Sequence, residues 1–320
     1  MKISYSLIQT SAHIIREVKL MKYALGIDIG GTNTRVALID ENHCIVNRVQ
    51  FPTNSVEPKA TLESIKNAIH QFNVDHIIGI GVSCPGPLDL INGSILETPN
   101  LGTNWWHFPI TEELKKVTGI DTYLENDANL ACLAEACVGK GKDYNYVSFM
   151  TISTGIGAGL CINRQIYQGA HGFGHEIANM PLWRNGPQHG HLVAGGIEAI
   201  CSGTAITNRA KEKGLNVKHA GEVNNLACEG NPIACEIMND AKEYLANGIA
   251  AIYALLDPEI VILGGSVALK IDGFVEEVEA KVKEKVFEVV KPYVQVVRTN
   301  LNEDSGLLGA ACLAFLKGEN

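Results

Sequence analysis

"GIDIGGTNTRVALID", residues 26–40, joins two apolar runs through Asp28, Gly30, Gly31, Thr32 and Asn33. The flanking runs, "YALGIDIG" and "TRVALID", are short and apolar and read as paired strands of a hairpin. The turn between them has two explanations. Glycine and asparagine permit the positive φ angles of a tight hairpin turn. Alternatively, the missing side chains let a bound phosphate reach backbone N–H groups, with Thr32 and Asn33 adding donors. Turn geometry does not account for Asp28, because an acid inside an apolar run is costly to desolvate unless a cation stands beside it.

Outward from this hairpin, strands and helices alternate. "ATLESIKNAIHQF" reads as an amphipathic helix and "HIIGIGVSC" as a buried strand, closed by "PGPLD". A second pair of apolar strands, "YVSFMTIS" and "AGLCIN", flanks "STGIGAG", and helices then precede "EIVILGG". Two strands broken by a Thr-Gly turn thus occur near residues 26–39 and again near 147–162. The duplication predicts an α/β fold of two related lobes with a cleft between them.

Composition excludes several function classes. The 320 residues are 46% hydrophobic and 19% charged, which suits a soluble two-domain chain with substantial cores. A formal net charge of −9 opposes an extended contact with nucleic acid. No apolar run reaches the roughly 18 residues that a membrane span needs. Nine cysteines are scattered without a CxxC pair, several in apolar helical settings such as "NLACLAEACVGKG". Buried free thiols in a reducing cytoplasm are therefore expected.

The motifs "GIDIGGTNTRVALID", "GVSCPGPLD", "TPNL", "ENDAN", "STGIGAGL" and "LDPEIVILGGSV" follow one another in the order found in ROK (repressor, open reading frame, kinase) sugar kinases, and from about Met21 to "GLLGAA" the chain resembles that family. The resemblance implies two RNase H-like lobes of the actin and hexokinase ATPase type, closing over sugar and ATP. It assigns residues 21–126 with 303–320 to an N-terminal lobe and 127–302 to a C-terminal lobe, and implies a cytoplasmic homo-oligomer with no nucleic-acid or membrane partner. Gly30, Gly31, Thr32 and Asn33 would hold nucleotide phosphates from one lobe and Thr154 and Gly155 from the other, with Gly264 and Gly265 on the adenosine side. Asp28 would sit near Mg²⁺, through water. Backbone donors and a metal suit phosphoryl transfer, which is largely positioning and charge neutralisation.

Asp127, at the start of the helix in "LENDANLACLAEA", matches the family's catalytic base, and Asn126 the residue that orients the sugar. A carboxylate there is favoured by the helix macrodipole, although an acid at that position can equally serve only as an N-cap. Asn100, Glu176, Asn179 and Glu198 match sugar-contacting positions, and carboxylates suit the task because each can accept two hydroxyls.

Two departures stand out. Where the family has Gly-Glu-x-Gly-His, this chain reads His175-Glu176-Ile177-Ala178-Asn179, and where most members carry a zinc loop rich in cysteine it reads "HGHLVAGG". His189 and His191 stand at the first two cysteine positions and Gly196 at the third. A structural zinc site uses four protein ligands. Zinc is expected to be absent, with apolar residues of "LVAGGIEAI" packing the loop in its place. The alternative is a rebuilt site in which His175 or His171 joins His189 and His191.

An ATP-dependent sugar 6-kinase of the glucokinase type is the favoured function, with allose, fructose or an N-acetylhexosamine as alternative substrates. A non-catalytic sugar-binding regulator is the competing class. Residues 1–20 are too few for a DNA-binding module, and the acidic chain opposes one. Their "REV", residues 16–18, can be encoded by AGG-GAG-GTN, which resembles a bacterial ribosome-binding site upstream of Met21. The segment is then an early-assigned start, or else a loosely attached extension. A chain starting at Met21 is expected to fold and to keep full activity; aggregation or lost turnover of the truncated protein would show that residues 1–20 are structural.

Overall fold

The computed structural model describes residues 21–318 apart from residues 75, 99 and 191. The hairpin opens the first sheet as β1 (Tyr23–Ile29) and β2 (Asn33–Asp40), followed by β3 (Ile45–Pro52). Helix α1 (Pro58–Phe72) crosses over to β4 (Ile77–Cys84). A two-stranded arm, β5 (Leu88–Asp89) and β6 (Ser94–Ile95), and helix α2 (Ile110–Thr118) precede β7 (Thr122–Asn126). Helix α3 (Asp127–Cys137) then leads to β8 (Tyr146–Ile152), β9 (Ile156–Ile162) and β10 (Gln165–Ile166). The helices α4 (Ile197–Cys201), α5 (Gly203–Glu212), α6 (Ala220–Cys228) and α7 (Pro232–Leu256) follow a long irregular segment. The chain ends with β11 (Ile260–Gly264), α8 (Gly265–Lys270), α9 (Phe274–Lys285), β12 (Val296–Arg298) and α10 (Ser305–Gly318).

The duplication is real at the level of topology. One sheet has the order β3-β2-β1-β4-β7 and the other β10-β9-β8-β11-β12. In each, the first three strands form an antiparallel meander, and the remaining two are parallel to the first strand. Parallel neighbours need crossover helices, and both faces of such a sheet are then covered. The strands accordingly read as nearly continuous apolar runs, with Ile27, Ile29, Val36, Leu38 and Val82 fully buried in the first sheet and Val147, Met150, Val261 and Ile262 in the second.

Helices α10 and α3 form the layer between the two sheets. Helix α10 packs on β1 and β4, α3 packs on β8 and β9, and the two helices pack on each other. The approach is backbone to backbone. A Cβ at Gly81 would lie 1.8 Å from the Ala310 carbonyl oxygen, and one at Gly26 would lie 2.2 Å from that of Leu307. Glycine lets the helix seat directly on the strands, and residues 307–315 of α10 are all buried as a result. No helix among the described residues is long and apolar enough to cross a membrane.

Gly81→Ala must push α10 off the sheet or bend β4. Overpacking of this kind costs roughly 1–3 kcal/mol, and the substitution is expected to lower urea-unfolding stability by at least about 1 kcal/mol. An unchanged unfolding midpoint would mean that α10 is free to shift.

Candidate functional site

Both turns that break the paired strands are explained by close contact. None of Gly30, Gly31 and Asn33 has a positive φ, so the tight-turn explanation for the first fails. Gly30 N–H donates to the Asn33 carbonyl at 2.9 Å, and Thr53 Oγ1 donates to the Gly30 carbonyl at 2.7 Å. Gly31 is small because Asn100 is near: a Cβ there would lie 2.2 Å from the Asn100 carbonyl oxygen. In the second turn, a Cβ on Gly155 would lie 2.8 Å from Glu198 Oε2, which accepts the Ile156 N–H at 2.7 Å. Each turn therefore touches a residue expected on the sugar side.

The cation that Asp28 demands is Arg35, its cross-strand partner on β2. Arg35 donates from Nη2 at 2.6 Å and from Nε at 3.1 Å, both to Asp28 Oδ2. This leaves Oδ1, which lies beside Gly306 at the start of α10. Ser83, aligned with Asp28 across β1 and β4, is fully buried there, and its hydroxyl has no hydrogen-bond partner among the described residues.

Asp28, Ser83 and Asp127 line a cavity of about 830 Å³, whose other wall carries Thr151, Gly264, Gly265 and Lys270. Gly265 has φ +83°, and a Cβ there would lie 2.5 Å from the Ile152 carbonyl oxygen, so this strand-to-helix turn requires glycine twice over. A second cavity of about 710 Å³ shares Ser153, Ser266 and Lys270 with the first. Thr154 and Thr204 line it, together with Lys211, Lys218 and Lys270, and no carboxylate does among the described residues. Thr154 is legible in the sequence motifs but the lysines of this chamber are not, because Lys211, Lys218 and Lys270 are distant from it in sequence and lie outside the quoted motifs. Gly30, Gly31, Thr32 and Asn33 line neither cavity.

Asn126, and not Asp127, caps α3: its Oδ1 accepts the Ala128 N–H at 2.9 Å. Asp127 is the first helical residue and is open to the cleft on one side. Its carboxyl is nonetheless pushed up to about 6, chiefly by the desolvation that the surrounding cleft walls impose. The Ala128 N–H opposes this, and the like charges of Asp28 and Glu176 add to it. Because the folded value lies above the ordinary 3.8, the proton-accepting carboxylate is populated above about pH 6 and is lost as pH falls through that value.

Asn179 does not stand free: its Oδ1 accepts the Val193 N–H at 2.9 Å. The segment it tethers is held largely by its main chain. Leu182 and Trp183 donate to the Gly195 carbonyl at 2.9 and 3.1 Å, Gly195 to Pro187 at 2.8 Å and Ile197 to Met180 at 3.0 Å. Trp183 stacks on Tyr244 at 4.8 Å. Of the apolar residues in "LVAGGIEAI", Ile197, Ala199 and Ile200 are buried on either side of Glu198, as expected of packing, whereas Val193 is 51% exposed. Among the potential metal ligands, His175 Nε2 is engaged by Ser148 Oγ at 3.0 Å, and burial lowers the ring to about 4, keeping it neutral. The His189 carbonyl accepts the Leu192 N–H, and His191 lies outside the described residues. Among the described residues no group of three or more His, Cys, Asp or Glu is placed to hold a metal ion.

Residues 24–316 match the model of the ROK family. A glucokinase of Thermotoga maritima is 30% identical over 313 residues, covering 90% of this chain and 96% of its own. An N-acetylmannosamine kinase of Salmonella heidelberg is 32% identical over 295 residues, covering 91% and 97%. The crystal structure of a ROK hexokinase from Thermus thermophilus superposes with a TM-score of 0.85 at 30% identity, covering 93% of this chain and 99% of its own.

Direct titration of the site is the test of its electrostatics. Carboxyl NMR should give Asp127 a midpoint near pH 6, and Glu176→Gln, which deletes a like charge, should move it down. A midpoint near 4 in the unaltered protein would contradict the arrangement.

Proposed function

The chain belongs to the ROK family and is a sugar kinase, and on that premise we propose that it transfers the terminal phosphoryl group of ATP to the primary hydroxyl of a hexose, with Asp127 as the base. The observation that carries this reading is Asp127 itself, a cleft carboxylate raised to about 6, opposite the wall formed by Gly264, Gly265 and Lys270. A base with that value is mostly ionised at neutral pH and still basic enough to take a proton as the sugar oxygen attacks phosphorus. Asn100, Asn126, Glu176 and Glu198 hold the other hydroxyls. Asn179 has its oxygen committed to Val193, so only its amide nitrogen faces the sugar in this role.

The donor runs along both cavities. Thr154 and Gly155 supply donors to its phosphates, Gly264 and Gly265 let the nucleotide pass close to the start of α8, and the turn at Gly30, Gly31, Thr32 and Asn33, which lines neither cavity, adds donors as the lobes close. Lys270 stands where the cavities meet, and Lys211 and Lys218 add positive charge around the polyanion. Mg²⁺ fits beside Asp28. Such an ion is ordinarily held by one or two carboxylates, waters and the substrate phosphates, which matches the Oδ1 that Arg35 leaves and the Ser83 hydroxyl beside it, without a partner among the described residues. When bound, it neutralises phosphate charge and draws electrons from the breaking bond. Because Asn179 and the "HGHLVAGG" stretch depart from the family's zinc ligands, we infer that zinc is absent and that main-chain bonds, with the buried Ile197 and Ile200, hold the segment around Glu198.

Glucose leads the expected substrates, followed by N-acetylmannosamine, in view of the two relatives named for them. Purified protein offered a panel of hexoses with ATP and Mg²⁺ should phosphorylate at least one at its primary hydroxyl. Asp127→Asn should keep the fold and lower turnover by roughly 10²–10⁴; near-normal turnover would remove Asp127 from this role. The same preparation should hold zinc well below one per chain and regain activity after chelation once Mg²⁺ is restored. A stoichiometric zinc whose removal destroys activity would overturn that part of the reading.

A further inference from the structure

Glu125 is a buried carboxylate that the transfer chemistry leaves unused. It sits on β7 immediately before Asn126 and Asp127 and is 1% exposed. Its Oε1 accepts the Asn126 N–H at 2.9 Å and Asn129 Nδ2 at 3.0 Å, which ties it to the first turn of α3. Its Oε2 accepts Gln168 Nε2 at 2.6 Å. Gln168 follows β10, on the second sheet, and its side chain is exposed.

The segment after Gln168 runs to Glu176 and is closed on itself. The Gln168 carbonyl accepts the Gly174 N–H at 2.9 Å, and a Cβ on Gly174 would lie 2.6 Å from the Tyr167 carbonyl oxygen, so the closure depends on glycine. Beyond it, His175 is fastened to β8 through Ser148. One oxygen of Glu125 therefore fixes the residues that carry Asp127, and the other fixes the segment that carries Glu176.

Three donors offset the cost of burying this charge. An anchor for α3 alone would need only the two on Oε1. The third crosses from one sheet's surroundings to the other's and immobilises an exposed side chain, which has an entropic cost that local stability does not explain. We propose that Glu125 and Gln168 are positioning residues of the sugar site, together fixing the separation of Glu176 from Asp127 and so the place of the sugar between them. The proposal rests on the kinase reading above. Gln168 suits the task because it is neutral. Asp127 faces Asp28 from β1, Cys84 from β4 and Glu176 from this segment, with Lys270 across the cavity. A cation at position 168 would weaken the repulsion that keeps the base basic.

The test separates bond from charge. Gln168→Ala cuts the link at an exposed position and should fold normally. It should raise the KM for the sugar about tenfold, the scale of one hydrogen bond to a charged group, with a smaller change in kcat, and should shift the Asp127 carboxyl midpoint downward as Glu176 retreats. Glu125→Gln keeps the link without the charge, since the amide of Gln168 can turn to accept from the new one, and should recover most of the affinity. Adding Gln168→Ala to it should lose that affinity again. Unchanged KM and an unchanged Asp127 midpoint in Gln168→Ala would overturn the proposal, and so would a fall in thermal stability alone. If the unaltered protein phosphorylates no sugar, the kinase reading fails, and the Asp127 midpoint in Gln168→Ala still reports whether the link sets the site's geometry.

Discussion

The contact between α10, α3 and the two sheets is the constraint from which the rest follows. Helix axes normally stay 8–10 Å apart because side chains intervene. Here the β-carbon positions of Gly26, Gly81 and Gly309 fall 2.2, 1.8 and 1.9 Å from carbonyl oxygens of the facing elements, so side chains are excluded and the backbones meet. Such a layer has little room to slide. It brings the start of α10 against Asp28 and the start of α3 to the cleft wall, so that Gly306 and Asp127, far apart in sequence, line one cavity. A site that depends on phosphate and hydroxyl placement within fractions of an ångström benefits from a rigid floor of this kind.

On that floor the charges are unevenly spread. Asp28 is tied to Arg35, whereas Asp127 and Glu176 repel one another. The adjoining cavity carries three lysines and no carboxylate among the described residues, in a chain whose net charge is −9. A polyanion is thus drawn most strongly to the lysine-lined chamber, while the other mixes Asp28 and Asp127 with Arg35 and Lys270. Asp127 stays basic enough to accept a proton chiefly because the cleft walls desolvate it, with the charges of Asp28 and Glu176 adding to the effect.

Much of this was legible in the sequence, and the limits are physical. The two strand pairs, their turns and the doubling of the fold follow from apolar runs broken by glycine, since local pattern and topology agree there. The cation needed by Asp28 lay within the quoted stretch, but identifying Arg35 requires the hairpin register, in which a one-residue slip would place the side chain on the other face. Asn126 displaced Asp127 as the cap because the two compete for one position and only backbone angles decide between them. The role of Gly31 was hidden for another reason: its neighbour, Asn100, is distant in sequence. In the loop at 181–197 the burial of Ile197 was legible from its apolar character, but the bonds from Leu182 and Trp183 to Gly195 were not, because main-chain hydrogen bonds carry almost no signature in side-chain identity.

The central position of α10 also constrains the order in which the molecule can be made. Gly26 and Leu307 touch across about 280 positions of chain, so the face of the first sheet that α10 covers stays open until residues 305–318 leave the ribosome. Contacts of such sequence separation close slowly, and the exposed apolar strands are aggregation-prone in the meantime. The first lobe therefore cannot mature by itself during synthesis, and its completion and that of the second lobe become a single late event. A nascent chain stalled before α10 is a client for chaperones, whatever the stability of the finished protein.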